Sequence, residues 1–135
     1  MIGIVIITHG KLADEFRSAL EHVMGVQSNL ETICIYPNDH MAQCKQNILE
    51  SVQRVNDGTG VIILTDMFGG TPSNLAISVM QPNVIEVIAG VNLPMLIKLA
   101  RSRHKDNLMD VVLEVQADGR KYINIASRLF KKKYE

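Results

Sequence analysis

The sequence has no excess of either charge and no long hydrophobic run, and both absences exclude classes of protein. Its 135 residues carry 14 basic and 14 acidic side chains, so the formal net charge at pH 7 is zero. A nucleic-acid binder needs a clustered excess of Lys and Arg, and the lysine run at 131–133 is too short to supply one. No apolar run approaches the roughly 20 residues that cross a bilayer. We therefore expect neither a nucleic-acid partner nor a membrane span.

Cysteine is scarce, and several common motifs are absent. Cys34 and Cys44 match neither a redox nor a zinc spacing. Met1 leads directly into an apolar strand without a basic leader, which predicts a cytoplasmic protein. The P-loop and GxGxxG patterns are missing, which argues against a nucleotide kinase and a Rossmann dehydrogenase. No metal site is expected, because three of the histidines stand singly on predicted helices or helix starts: His22, His40 and His104.

The composition and patterning are those of one α/β domain. Hydrophobic residues make up 47% of the chain and charged residues 21%, which is typical of a packed globular core. Continuous apolar runs at 2–7, 32–36, 60–64 and 84–89 indicate strands buried on both faces. Stretches with helical spacing separate them. This alternation predicts a doubly wound, mainly parallel four-stranded sheet with helices on both faces.

The end of the chain departs from that alternation. Apolar spacing predicts a helix over 107–118, with Gly119 as the residue that ends it. Segment 121–127 alternates between polar and apolar residues, which predicts a half-exposed edge strand. We therefore assign one domain to residues 1–127 and a polar, basic tail to 128–135.

Two loops that follow strands contain the residues with the clearest chemical potential. In open α/β sheets, ligands bind beyond the carboxyl ends of the strands. The first strand ends at His9, and the third leads into Asp66. A carboxylate beside an imidazole fixes its tautomer and leaves the other ring nitrogen free as a nucleophile. The alternatives are a surface histidine and a turn aspartate, which are common in such loops.

The loop after Asp66 also has the composition of an anion cradle. Thr71 is expected to cap a helix whose first residue is Pro72. Ser73 and Asn74 would then present free amides at the positive end of the helix dipole. Two glycines before the cap, Gly69 and Gly70, would allow a phosphoryl group to approach closely. The same residues also suit an ordinary turn and helix start.

These stretches together resemble the enzyme IIA domain of the mannose/fructose class of the bacterial sugar phosphotransferase system (PTS). The resemblance rests on residues 3–10, on 66–74 (DMFGGTPSN) and on 87–96, in the same order and spacing across roughly residues 1–126. It implies a phosphohistidine carrier with His9 as the phosphorylated residue and Asp66 as its orienting partner. It places the phosphoryl group at the 69–74 loop. It also implies a homodimer in which the two subunits exchange their C-terminal strands, and segment 121–127 is the candidate for that strand.

The implied activity is a phosphotransferase that uses no metal, nucleotide or other cofactor. Phosphate would pass from the phosphocarrier protein HPr to His9 and on to a IIB component, which serves a membrane IIC/IID permease. Two departures leave the acceptor open: Ser73 replaces a bulky apolar residue that sugar-transport members commonly carry, and some members continue into a IIB domain whereas this sequence stops at Glu135. The alternatives are a subunit that serves dihydroxyacetone kinase and a regulatory module without onward transfer.

Overall fold

The structure is a computed structural model that describes residues 1–105 and 107–130. Strands and helices alternate over most of this length, as the apolar runs predict. The strands are β1 (Gly3–His9), β2 (Leu30–Ile35), β3 (Val61–Thr65) and β4 (Ile85–Ala89). The helices are α1 (Leu12–Met24), α2 (Met41–Val55), α3 (Thr71–Ser78), α4 (Leu93–Ser102), α5 (Leu108–Lys121) and α6 (Ala126–Leu129).

The four strands form one parallel sheet in the order β2-β1-β3-β4. One core layer lies between the sheet and α1, α4 and α5, and the other lies between the sheet and α2 and α3. The predicted doubly wound α/β class is therefore confirmed. Strand order reverses between β1 and β3, which creates a crevice at their carboxyl ends. None of the helices described in 1–105 and 107–130 is long and apolar enough to cross a membrane.

A buried arginine joins elements at the opposite, amino-terminal edge of the sheet. The Arg103 guanidinium donates to the carbonyl oxygens of Ile2 at 3.0 Å and Asn29 at 2.8 Å, and to the Gln27 side chain at 3.3 Å. Burial lowers the pKa of Arg103. These bonds fix where β1 and β2 begin, because they satisfy carbonyl groups next to both strands.

The prediction that Gly119 ends a helix is wrong. Helix α5 continues through this residue to Lys121. A β-carbon at Gly119 would lie 2.5 Å from Cγ of Met95 on α4, so the glycine permits close packing of α4 against α5. The Asn92 side chain strengthens the same junction, since its Nδ2 donates to the Gly119 carbonyl at 3.1 Å.

The single chain does not contain the predicted edge strand over 121–127. Residues 122–125 have no regular structure, and α6 begins at Ala126. The backbone N–H of Tyr122 bonds to the Asp118 carbonyl, so the helical path of α5 continues for one further residue. A strand needs a neighbouring strand to accept its hydrogen bonds, and segment 122–125 has none among the described residues. Of the predicted tail, 128–130 lie in or next to α6, and 131–135 fall outside the described residues.

Candidate functional site

The structure brings His9 and Asp66 together at the crevice between β1 and β3. His9 is the last residue of β1, and Asp66 directly follows β3. The register pairs Ile7 with Thr65, so the two strands end side by side. The His9 side chain is 52% exposed and that of Asp66 is 14% exposed. The pair therefore combines a fixed carboxylate with an accessible imidazole.

Three hydrogen bonds hold the Asp66 carboxylate in one orientation. Its Oδ2 accepts from the backbone N–H of His9 at 3.0 Å and lies 2.8 Å from Nδ1 of the same residue. Its Oδ1 accepts from the backbone N–H of Met67 at 3.1 Å. The backbone of one strand end thus aligns the carboxylate that contacts the imidazole at that end.

The electrostatics of the pair favour an ionised carboxylate. Burial by itself would raise the pKa of Asp66, but hydrogen bonds from the His9 backbone and imidazole outweigh it and hold the pKa below its ordinary value. An ionised carboxylate only accepts hydrogen bonds, so Nδ1 carries a proton and donates it. The lone pair of a neutral His9 is then on Nε2. This arrangement creates a nucleophilic nitrogen that faces away from Asp66.

Gly70 lies directly beside that nitrogen. A β-carbon at this position would be 2.7 Å from Cε1 and 2.9 Å from Nε2 of His9, closer than real contacts allow. The residue therefore has to be glycine if the imidazole is to keep its place. Its backbone also brings the start of α3 to the edge of the ring that carries Nε2.

The glycine-rich loop differs from its prediction by one residue. Gly70, not Thr71, is the residue before the helix, and Thr71 rather than Pro72 is the first helical residue. The backbone N–H of Asn74 donates to the Gly70 carbonyl at 3.1 Å, so it is not a free amide. The shift follows from Gly70, whose extended backbone supplies the capping geometry without a side chain.

Three amides remain at the start of α3. Within the described part of the chain, the N–H groups of Gly70, Thr71 and Ser73 have no backbone acceptor. They lie at the cap and in the first turn of the helix, where the dipole is positive. The Gly69 N–H, in contrast, donates to the Ser73 side chain at 3.1 Å. Of the predicted phosphoryl-binding residues, the loop thus offers accessible free amides at Gly70 and Thr71, engages those of Gly69 and Asn74, and buries that of Ser73.

Sequence reasoning did not identify the loop after β2 as part of the site. A cleft of about 460 Å³ adjoins His9 and is also bordered by Tyr36, Pro37 and Met41. Because β2 pairs with β1, its carboxyl end lies at the same edge of the sheet as His9. That position was the available signal, since Tyr36 is the last residue of the second apolar run. Across 1–105 and 107–130, no three His, Cys, Asp or Glu side chains are grouped to hold a metal ion.

Comparisons with known sequences give consistent results. A family model described as PTS system fructose IIA component matches residues 3–116. The mannose-specific EIIAB component of Escherichia coli strain K12 is 31% identical over 118 residues, which cover 87% of this chain and 36% of that protein. The fructose-specific EIIA component of Bacillus subtilis strain 168 is 24% identical over 133 residues, covering 98% and 91%. The chain therefore spans about a third of the E. coli relative and most of the B. subtilis one.

Solved structures extend the likeness to three dimensions. The phosphotransferase system component EIIA from Streptococcus agalactiae superposes with a TM-score of 0.85 at 30% identity, covering 95% of this chain and 99% of that one. The PTS IIA protein associated with the fucose utilization operon of Streptococcus pneumoniae gives a TM-score of 0.79 at 27% identity, covering 94% and 95%. Sequence and fold thus point to the same family.

Proposed function

The chain belongs to the family of mannose/fructose-type PTS IIA components, and from that premise we propose that it carries a phosphoryl group on Nε2 of His9. One observation carries this proposal. The 2.8 Å contact between Nδ1 and Asp66 occupies one ring nitrogen and leaves the other free at the crevice. The preference for Nε2 over Nδ1 follows directly, because an engaged Nδ1–H has no lone pair to offer a phosphorus atom.

The transfer step requires few protein groups. The Nε2 lone pair of His9 attacks phosphorus, an N–P bond forms, and the P–N bond to the donor histidine breaks with its electron pair returning to the donor ring. The His9 ring becomes cationic and keeps its proton on Nδ1. The Asp66 carboxylate stabilises that charge through the hydrogen bond that it already accepts.

The start of α3 is placed to stabilise the negative charge of the phosphoryl group, as Asp66 stabilises the positive charge of the His9 ring. A phosphoryl group on Nε2 would lie next to the backbone of Gly70, where the amides of Gly70 and Thr71 are available. Amides at a helix start stabilise the negative oxygens of such a group. Preorganised donors are effective here because phosphoryl transfer depends mainly on positioning and charge stabilisation.

An apolar rim around His9 supports docking of protein partners. Loops and helix starts near the histidine expose large apolar side chains: Leu12, Tyr36, Met41, Met67 and Phe68. An exposed apolar patch rimmed by polar residues is typical of a protein interface. We propose that HPr and a IIB component dock here in turn, the second serving a membrane IIC/IID permease. Such a relay places the chain in the cytoplasm.

The proposal is tested by transfer from phospho-HPr. HPr phosphorylated by enzyme I and phosphoenolpyruvate is incubated with the wild-type chain, His9→Ala and the control His22→Ala. We expect acid-labile label at His9 in the wild type and the control, mapped by mass spectrometry at neutral pH. His9→Ala should take up no label and keep its circular dichroism spectrum, because the side chain is half exposed.

Two results would contradict the proposal. Label that persists in His9→Ala would move the acceptor to another residue. A wild-type chain that takes no label from phospho-HPr would remove the donor assignment. Purified IIB then tests onward transfer, and its failure with a labelled chain would favour a regulatory role.

We also propose that the chain forms a homodimer through its C-terminal segment. The residues after α5 expose apolar side chains that a single chain does not cover: Tyr122, Ile123, Ile125, Leu129 and Phe130. Strand β4 is an edge of the sheet; Gln81 bonds the backbone of Ile85 at its start, and the outer edge beyond Ile85 is available to a further strand. Exchange of segment 121–127 between two copies would pair that edge and bury the isoleucines.

A further inference from the structure

The Ser73 side chain closes the glycine-rich loop from inside the protein. Ser73 lies in the first turn of α3 and is completely buried. Its Oγ accepts from the Gly69 N–H at 3.1 Å and donates to the Gly70 carbonyl at 3.1 Å. One hydroxyl therefore binds both glycines that precede the helix.

These two bonds determine where the loop meets the imidazole. Gly70 leaves no room for a β-carbon against Cε1 and Nε2 of His9, so the distance between loop and ring is set by the placement of the Gly70 backbone. The Gly70 carbonyl is held by the Ser73 hydroxyl and by the Asn74 N–H, both at 3.1 Å. Only the hydroxyl also holds Gly69. Without it, the peptides on either side of the Gly69–Gly70 peptide each lose a hydrogen bond, and the Gly70 carbonyl keeps only the Asn74 N–H.

We infer that Ser73 is a positioning residue, whose hydroxyl fixes the Gly70 amide and the start of α3 against Nε2 of His9. The inference rests on the proposed phosphoryl transfer and adds a role for a side chain that does not touch the phosphoryl group. It also assigns the Gly69 amide to the loop itself. Phosphoryl oxygens are then bound by the amides of Gly70 and Thr71.

The test compares Ser73→Ala with a matched variant of the same helix, Ser78→Ala. Ser78 Oγ donates to the carbonyl three residues earlier, at 2.6 Å from Leu75, as Ser73 does to Gly70. Ser78→Ala thus removes the same type of bond away from the loop. Transfer from phospho-HPr is measured as kcat and KM, and labelling by phosphoramidate repeats the measurement without a protein donor.

We expect Ser73→Ala to lower kcat by about tenfold to a hundredfold, the usual cost of a displacement of up to about 1 Å. Its KM for phospho-HPr should stay within about twofold, because the buried hydroxyl is not part of the docking surface. Labelling by phosphoramidate should fall by a similar factor. Ser78→Ala should match the wild type in all three. A wild-type kcat for Ser73→Ala, or an equal loss in Ser78→Ala, would overturn the inference.

A measurement on the wild-type chain keeps the inference testable if Ser73→Ala does not fold. Amide hydrogen exchange followed by NMR should show slower exchange for Gly69 than for Gly70, whose N–H has no backbone acceptor within the described part of the chain. Equal exchange at the two glycines would refute the hydrogen bond from the Gly69 N–H to the Ser73 hydroxyl. Failure of the wild type to accept phosphate from either donor would instead refute the proposed function, while the exchange experiment still decides whether the loop is held.

Discussion

Replacing Gly70 by alanine should slow phosphoryl transfer while changing the free energy of unfolding little. The Gly70 backbone has φ −102° and ψ 171°, an extended conformation that any residue adopts. Alanine therefore causes no backbone strain. Its β-carbon would lie 2.7 Å from Cε1 and 2.9 Å from Nε2 of His9, whereas ordinary contacts begin at 3.4 Å. The ring has to move outward by several tenths of an ångström, and it is free to do so because it is half exposed.

This displacement should affect catalysis more than folding. Moving the ring misaligns its hydrogen bond to Asp66 and separates Nε2 from the amides of α3. We expect transfer from phospho-HPr to slow by about tenfold to a hundredfold, since errors of up to about 1 Å have effects of that order. The free energy of unfolding should change by about 1 kcal/mol or less, because the weakened hydrogen bond is partly exposed to solvent.

A second glycine provides the opposite control. Gly25, after α1, has φ +84°, and no atom would lie within 4 Å of an added β-carbon. Gly25→Ala should lower the free energy of unfolding by about 1–2 kcal/mol through backbone strain and leave the transfer rate unchanged. Quenched phosphotransfer assays measure the transfer rate, and chemical denaturation measures the free energy of unfolding. A wild-type rate for Gly70→Ala would refute the role of close contact between loop and ring.

The remaining predictions concern the carboxylate and the C-terminal segment. Asp66→Asn should slow transfer by at least about tenfold, because the amide no longer fixes the tautomer of His9. Because the folded-state pKa of Asp66 is lowered, its carboxylate stabilises the fold above about pH 4 and loses this effect as pH falls through the lowered value. The difference in unfolding free energy between wild type and Asp66→Asn should therefore shrink below about pH 4. A difference that stays constant with pH would contradict this. In light scattering at micromolar concentration, wild type and the exposed control Val26→Ser should be dimers, and the double variant Ile123→Ser, Ile125→Ser should be largely monomeric. A monomeric wild type would contradict the dimer.

The positions of the strands and of the His9–Asp66 pair follow from the sequence for a physical reason. A strand buried on both faces needs a continuous apolar run, and the four runs correspond to the four strands within one or two residues. Residues at the ends of such runs meet at one edge of a parallel sheet. His9 and Asp66 were therefore predictable neighbours, although their 2.8 Å contact was not.

The structural roles of glycines were the hardest feature to predict from the sequence. Gly119 has the spacing of a residue that ends a helix, but its role is to admit the Met95 side chain from another helix. Gly70 was assigned to phosphoryl approach, and the structure places it against His9. In both cases the neighbour that requires the glycine is distant in the chain. Local spacing carries no information about such a neighbour, because it reports only the backbone conformation that a residue tolerates.

The C-terminal segment shows a different limit of pattern reasoning. Alternation of polar and apolar residues reports that one side of a segment is suited to burial, but it does not say which surface covers that side. In the single chain, Ile123 and Ile125 are 74% and 63% exposed, so burial on the chain's own sheet is not the answer. Strand structure and burial both require a partner for this segment, since an isolated strand satisfies neither its backbone nor its side chains. The absence of the predicted strand and the exposure of these isoleucines therefore have one cause, which is that a single chain offers this segment no partner. The proposed second copy supplies a strand edge for its backbone and a surface that covers the two isoleucines.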